Sequence, residues 1–419
     1  MVSGFEFDEM DMISSMHVHE DQMKKTYKPA ELIKDLKLII PKNIIEIFNQ
    51  ELEKNNLFID NDETKMEIIA GLIKGNIIIQ GPPGTGKTAI AKVICNTFNT
   101  LPVIETAIDD WTTYDTIGGF FPDVKDGQQY ITGHNGKIVQ SVVKCCDTIL
   151  RRERSRLTEK EKENMQQATW LILDELNRAE IDKVFGEMFT VLGSGDFFEN
   201  RKLELAFQSI NKKELYIPNR YRIIGLMNNS DKNYVYDLSQ ALSRRFSFIT
   251  LMPPKVENMP KELEVIKNSL SLRIKSKIDS IGNKKLKDEL FEEIINDPVF
   301  VDIEKILIDI LLHVRYSFAM KDESNTNGYL GANIGTALIK DIYETIVIRL
   351  ILMDYIEKDT EDKKEIAEAV VDGAIASNLI SQIDSQEWDK KKEFVEFFKN
   401  NEEWKKFKIT IDELNNMSL

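Results

Sequence analysis

Cysteine is scarce in this chain of 419 residues: there are three, Cys95, Cys145 and Cys146, and no C-x-x-C pair. That spacing offers neither a disulfide framework nor a zinc site, and it suits a reducing, cytoplasmic setting. Long apolar runs are missing as well. The most apolar windows, Ile77 to Ile79 and Ile346 to Ile356, are too short or are broken by Arg349 and Asp354, which excludes a membrane span. Basic charge is in deficit, with 55 basic against 70 acidic residues and a formal charge of -15. The average surface therefore repels nucleic acid and anionic lipid, and any DNA contact needs a local patch or a partner. Near the N-terminus, Glu6, Asp8, Glu9 and Asp11 stand where a signal peptide needs basic and then apolar residues, so export is not expected. His17-Val18-His19 could supply two metal ligands, but no third lies nearby and a metal site is not expected there.

What the chain does have is the composition of an ordinary globular protein, 42% hydrophobic and 30% charged, in a length that suits two or three domains. Residues 1–40 read as an N-terminal arm, and helical spacing runs from Ala30 to Lys74, as in Ile44, Ile47, Phe48 and Leu52. From Gly75 the pattern changes. Ile77-Ile79, Val103-Thr106, Leu171-Leu173, Tyr221-Leu226 and Phe246-Leu251 read as strands separated by helices, which implies a parallel sheet covered on both faces, the α/β class. Beyond Pro253-Pro254 only helical segments are expected: Val256-Leu272, Lys284-Ile295, Asp302-Ser317, Ile334-Tyr355 and Lys363-Ile380. The division expected is an arm at 1–40, a core domain at 41–255, an all-helical domain at 256–355, and an acidic helical tail at 356–419 with Trp388 and Trp404 available to pack it down.

The sharpest chemical signal is Gly81-Pro82-Pro83-Gly84-Thr85-Gly86-Lys87-Thr88, a G-x-x-x-x-G-K-[ST] run lying between a strand and the helix Ala89-Phe98. Its glycines let backbone N–H groups curl round phosphates, and the following helix N-terminus favours the same negative charge. Lys87 would neutralise the β and γ phosphates, and the Thr88 hydroxyl would bind Mg²⁺. The second signal is Trp170-Leu171-Ile172-Leu173-Asp174-Glu175, an apolar strand ending in two carboxylates at the edge where α/β sheets bind ligands. Asp174 would hold Mg²⁺, and Glu175 would polarise the attacking water.

Asp174-Glu175-Leu176-Asn177-Arg178-Ala179 resembles the D-E-[IL]-N-R-A box of the dynein-related branch of AAA+ ATPases, which includes the MoxR chaperones and the motor subunits of McrBC-type restriction systems. The resemblance covers residues 41 to 255 well and the following helical region only loosely. Ile223 to Asp231 resembles that family's sensor-1 strand, which would put Asn228 between Glu175 and the γ-phosphate. Ala241-Leu242-Ser243-Arg244-Arg245-Phe246 resembles its arginine-finger box, making Arg244 and Arg245 candidates to reach a neighbouring subunit's γ-phosphate; the plainer reading is a solvated helix end. Arg178 resembles the box arginine that contacts nucleotide across the interface, against the plainer reading of a salt-bridged arginine. A finger acting in trans implies a closed homo-oligomeric ring, commonly a hexamer in this family.

One departure is visible: the family's lid motif G-[AS]-x-x-R finds only Gly331-Ala332-Asn333-Ile334-Gly335, with glycine in the arginine's place. The resemblance also implies a β-hairpin insert facing the ring pore, here turning near Asp126-Gly127, with Phe120, Phe121, Tyr130 and His134 as pore contacts; equally, those aromatics could pack the insert onto the core. Arg151 to Glu163 reads as a solvated charged helix or a local basic patch. The implied activity is Mg²⁺-dependent ATP hydrolysis driving a partner. No N-K-x-D element reads guanine, although restriction motors of this branch can use GTP. Three roles follow: a McrB-like motor serving a separate nuclease, with nucleic acid reached through that partner; a MoxR-like chaperone remodelling a client protein; and a nucleotide-switched scaffold with slow hydrolysis.

Overall fold

The computed structural model describes residues 33, 36–125, 128–192, 201–208, 214–228, 242, 244–281, 284–316, 330–332, 334–384, 386 and 388–417. The chain forms two compact units, one of Met1–Asn55, Asn61–Gly81 and Lys87–Leu251, the other of Asn56–Asp60, Pro82–Gly86 and Met252–Leu419. Most of the expected arm, the His17/His19 pair and the hairpin tip at Asp126-Gly127 lie outside the described residues.

The first unit is built on a five-stranded sheet of β1 (Asn76–Gly81), β2 (Leu101–Thr106), β5 (Thr169–Asp174), β8 (Ile223–Asn228) and β9 (Phe246–Thr250), in the order β2-β5-β8-β1-β9 with every pairing parallel. Between them, β3 (Gly118–Lys125) and β4 (Gln128–Asn135) form an antiparallel hairpin, and β6 (Lys202–Glu204) pairs with β7 (Glu214–Tyr216). Ile77, Ile78 and Ile79, with Leu171 to Leu173, are fully buried, as continuous apolar runs in central parallel strands should be. The β2 strand departs from that pattern: among the described residues it pairs only with β5, at the sheet's edge, and Leu101 and Ile104 are exposed.

Helices α1 (Ile44–Lys54), α2 (Asp62–Lys74), α3 (Lys87–Thr97) and α4 (Lys137–Arg154) accompany this sheet. The helical spacing expected to run to Lys74 is broken between α1 and α2, where Asn56 takes a left-handed φ of 50° and the Asn61 side chain caps α2 by accepting the Thr64 N–H at 2.6 Å. Residues near the end of the expected arm are tied down, since Gln167 exchanges two 2.8 Å hydrogen bonds with the backbone of Ile39. The charged run after residue 150 is not uniformly solvated. Arg152 is buried and donates to the Met165 carbonyl at 2.9 Å and to the Lys162 carbonyl, folding the run back on itself.

All three cysteines are buried, and burial pushes the Cys95 and Cys145 thiols up to about 12 and Cys146 well above the ordinary thiol range. At pH 8 they stay protonated and covered. A maleimide is expected to label none of the three in the native protein and all three in denaturant; fast labelling of any one in the native state would contradict this packing.

The second unit is predominantly helical: α5 (Met259–Lys275), α6 (Asp288–Ile295), α7 (Pro298–Arg315), α8 (Thr336–Leu352), α9 (Thr360–Asp384), α10 (Trp388–Asn400) and α11 (Lys408–Asn416). The helix expected from Lys284 starts only at Asp288, because Lys284 and Lys285 pair with Ser280 and Ile281 as a short antiparallel ladder. Asp288 and Glu289 then occupy the first turn, where the helix dipole favours carboxylates. One apolar core runs unbroken from Met259 to Leu414, across residue 355. Trp404 is fully buried against Phe394, Phe397, Phe398 and His313, with its indole N–H donating to Asp309 at 3.1 Å. Trp388 does not join it: its side chain is exposed beside Lys392. The α9 carboxylate of Asp372 accepts the Ile409 and Thr410 N–H groups at 2.8 Å each, capping the start of α11. No described helix is long and apolar enough to cross a membrane.

Candidate functional site

In the first unit, neighbouring strands end together and bring their last residues to one edge of the sheet. Gly81 ends β1 opposite Asn228 at the end of β8, while Asp174 ends β5 on the other side of β8. Lys87, the first residue of α3, is buried; its ammonium donates to the Gly81 carbonyl at 3.1 Å and to Asn228 Oδ1 at 2.6 Å. Asn228 in turn donates through Nδ2 to Glu175 Oε1 at 2.7 Å, and Glu175 Oε2 accepts from Arg178 Nε at 3.2 Å. Thr88 Oγ1 donates to Asp174 Oδ2 at 2.8 Å. Lysine, asparagine, glutamate and arginine are thus strung along one edge, with the hydroxyl and carboxylate oxygens of Thr88 and Asp174 paired beside them.

Glu175 carries a left-handed backbone, φ 54° and ψ 37°. For a residue with a Cβ this costs roughly 1–3 kcal/mol and persists only where surrounding structure holds it, a feature concentrated at functional sites. Part of the holding is visible: the Glu175 N–H donates to Asp174 Oδ1 at 3.0 Å, and the short 3₁₀ turn Leu176–Arg178 follows at once. Asn177 is a residue that the sequence placed in a motif without giving it a job. It is buried, and it exchanges two 3.3 Å hydrogen bonds with the Asn228 backbone, fastening the end of β5 to the end of β8. Side-chain amides that pair with a backbone amide from a distant strand leave no spacing signal, so only the fold could reveal this.

The expected arginines fall in different surroundings. Arg244 is exposed. Arg245 is half-buried, donates from Nε to the Phe189 carbonyl and lies 5.5 Å from the Phe189 ring centre. Arg178 is about half exposed while bonded to Glu175 in its own chain, which is the salt-bridged arrangement weighed for it.

Pro82–Gly86 belongs to the second unit. Gly84 and Gly86 take φ of 76° and 79°, the left-handed region in which a glycine bends the chain without strain. Thr85 Oγ1 closes the bend by donating to the Pro82 carbonyl at 3.0 Å. The Gly84 carbonyl accepts the N–H of Ala337, in the first turn of α8, at 2.9 Å. Gly335, the residue just before that helix, lies so close that a Cβ built on it would fall 2.2 Å from the Gly84 carbonyl carbon and 2.6 Å from the Pro83 oxygen. The glycine found in place of a lid arginine is therefore demanded by backbone contact, and no side chain fits there.

The hairpin presents one apolar face outward. Phe120 is 59% exposed, Val124 63% and Ile131 72%. By the register, Phe120, Pro122 and Val124 lie opposite Gly133, Ile131 and Gln129 on one face. Phe121 alternates to the other, where its ring meets Tyr114 and His134 edge-on. Phe120 is thus turned outward, while Phe121 packs against Tyr114 outside the hairpin.

The five-stranded parallel sheet accompanied by helices is that of the P-loop AAA+ fold. Residues 76–246 match the family model of the AAA domain, dynein-related subfamily. Over 242 residues the chain is 31% identical to the Type IV methyl-directed restriction enzyme EcoKMcrB subunit of Escherichia coli, a match covering 53% of this chain and 47% of that protein. The chain thus spans about half the length of that curated relative. Residues 76–246 thus carry a AAA domain of the dynein-related subfamily, and over the matched stretch the chain is related to that McrB subunit. Among solved structures, a candidate ATPase from Cytophaga hutchinsonii superposes with a TM-score of 0.34 at 16% identity, over 78% of this chain and 84% of that one. A Thermotoga maritima RuvB point mutant gives 0.37 at 13% identity, over 78% and 75%. Both likenesses are loose.

Proposed function

We propose that the chain is one subunit of a homo-oligomeric ring, a hexamer by family resemblance, that hydrolyses ATP with Mg²⁺ to drive a separate partner, in the manner of a McrB-like motor in a restriction or antiviral defence system. The observation that carries the reading is the continuous line from Lys87 through Asn228 to Glu175, with Thr88 and Asp174 paired beside it. Two adjacent hard oxygen donors fit Mg²⁺, which takes one or two protein ligands and keeps waters and phosphate oxygens for the rest. Thr88 and Asp174 would hold the ion, and the ion would supply neutralising charge to the phosphates.

In this reading the backbone of Gly81, Pro82, Pro83, Gly84, Thr85 and Gly86 wraps the phosphates, and Lys87 neutralises them. Glu175 orients and polarises water, and Asn228 fixes the carboxylate through its amide. Arg244 is the finger offered to the neighbouring subunit, because it is exposed while Arg245 is engaged with Phe189. Arg178 stays with Glu175 in its own subunit until the interface forms. The core spans 41–255 and the helical lid begins at 256. GTP remains an alternative nucleotide by family resemblance.

A MoxR-like chaperone acting on a protein client is the second reading, and the exposed apolar face of the hairpin with the -15 net charge favours it. The experiment that separates the two is recovery of Glu175→Gln protein from its native host with ATP present. A nuclease subunit or DNA retained on the trapped ring supports the restriction motor. A client protein without nucleic acid supports the chaperone, and an absence of nucleotide-dependent assembly would overturn both.

A further inference from the structure

Within the second unit, a buried charge network stands directly behind the phosphate loop. Glu262 on α5 is fully buried and receives two hydrogen bonds from Arg315 at the end of α7, at 2.5 and 3.0 Å. Arg315 is itself buried, and its Nε has no hydrogen-bond partner among the described residues. An ion pair of this kind is a weak source of stability, because desolvating both charges offsets most of their attraction and apolar replacements are often as stable. Its geometry points elsewhere. The same Glu262 Oε1 accepts from Thr336 Oγ1 at 2.5 Å, and Thr336 is the first residue of α8.

Thr336 therefore does not cap its own helix; its side chain is spent on Glu262. The cap comes from the loop, since the Gly84 carbonyl takes the Ala337 N–H while Gly335 seats without a side chain against Pro83 and Gly84. In a trans peptide the carbonyl and the next N–H point in opposite directions. Fixing the Gly84 carbonyl on α8 thus turns the Thr85 N–H away from the helix.

We propose that Glu262 is a positioning residue for nucleotide binding: held by Arg315, it anchors Thr336 so that the start of α8 locks the Gly84–Thr85 peptide in the orientation that presents its N–H to a phosphate. The inference rests on the ATPase reading and adds to it a residue distant in sequence that shapes the loop's donors. Glu262 acts through Thr336 and touches no nucleotide.

Replacing Glu262 itself would strand Arg315 and could unfold the unit, so the test uses Thr336→Val, Thr336→Ser and Gly335→Ala in the full chain, with a fluorescent ATP analogue and Mg²⁺. Thr336→Val is expected to raise the Kd about tenfold, Gly335→Ala by at least as much, and Thr336→Ser to restore the wild-type value, with the rise in KM exceeding any fall in kcat. A purely structural role for the network would lower the melting temperature of Thr336→Val and leave the Kd unmoved, which would overturn the inference, as would a fall in kcat at constant KM. A wild-type chain that bound no nucleotide would overturn the ATPase reading as well.

Discussion

Glu175→Gln should lower steady-state turnover by about 10² to 10⁴, the range over which a positioned general base acts. The substitution keeps the size of the side chain but leaves one acceptor oxygen where there were two, so only one of the two donors, Asn228 Nδ2 or Arg178 Nε, keeps its hydrogen bond. What it removes is the carboxylate proposed to accept the water's proton. Nucleotide affinity should hold, because Lys87, Thr88 and the Pro82–Gly86 backbone are untouched, and a filter-binding assay alongside phosphate release separates the two effects. Lost affinity together with lost turnover would mean that Glu175 acts on binding. Turnover within a factor of three of wild type would remove it from the chemistry altogether. The strained backbone at this position sharpens the expectation: Glu175→Gly relieves the left-handed φ and should fold at least as stably, yet be as inactive as the glutamine variant.

Arg244→Ala should cost a comparable or larger factor, about 10³ if it is the guanidinium that meets the charge spreading over the γ-phosphoryl oxygens. Arg245→Ala should behave differently. Its guanidinium is engaged with the Phe189 carbonyl and ring, so its loss should appear as lowered thermal stability with a smaller loss of turnover. The trans character can be read by mixing: Arg244→Ala subunits retain a sound Lys87 and Glu175, and Lys87→Ala subunits retain a sound finger. Combined, they should recover part of the activity that neither has alone. Mixtures as inactive as either parent would argue against a finger in trans, and equal losses from Arg244→Ala and Arg245→Ala would undo the distinction between them.

Much of the sheet was legible in the sequence because central parallel strands are apolar throughout and each is followed by a helical period. Ile77 to Ile79 and Leu171 to Leu173 carry that signal, and the phosphate loop adds a spacing that few other structures need. The legible residues were those whose chemistry is fixed by type: a lysine after glycines, and two carboxylates after an apolar strand. What escaped is held by tertiary contacts. Asn177 works by pairing with the backbone of a strand 51 residues away, as its bonds to Asn228 record. Gly335 looked like a missing arginine, when the space it occupies is already filled by the backbone of Pro83 and Gly84. The outward turn of Phe120 and Ile131 is likewise set by hairpin register, and composition alone favours burying such rings.

The unbroken core of the second unit also bears on how this protein can be handled. Trp404 and the Asp372 clasp lie on the far side of residue 355, and both are integral to the packing of α7 and α9. A chain cut at 355 would leave the bed of Trp404 bare and strip α7 of its covering, so the final helices are no dispensable appendage. Sharing one core, they are expected to melt together with the rest of the unit, and a boundary drawn for expression or for grafting belongs beyond Leu414.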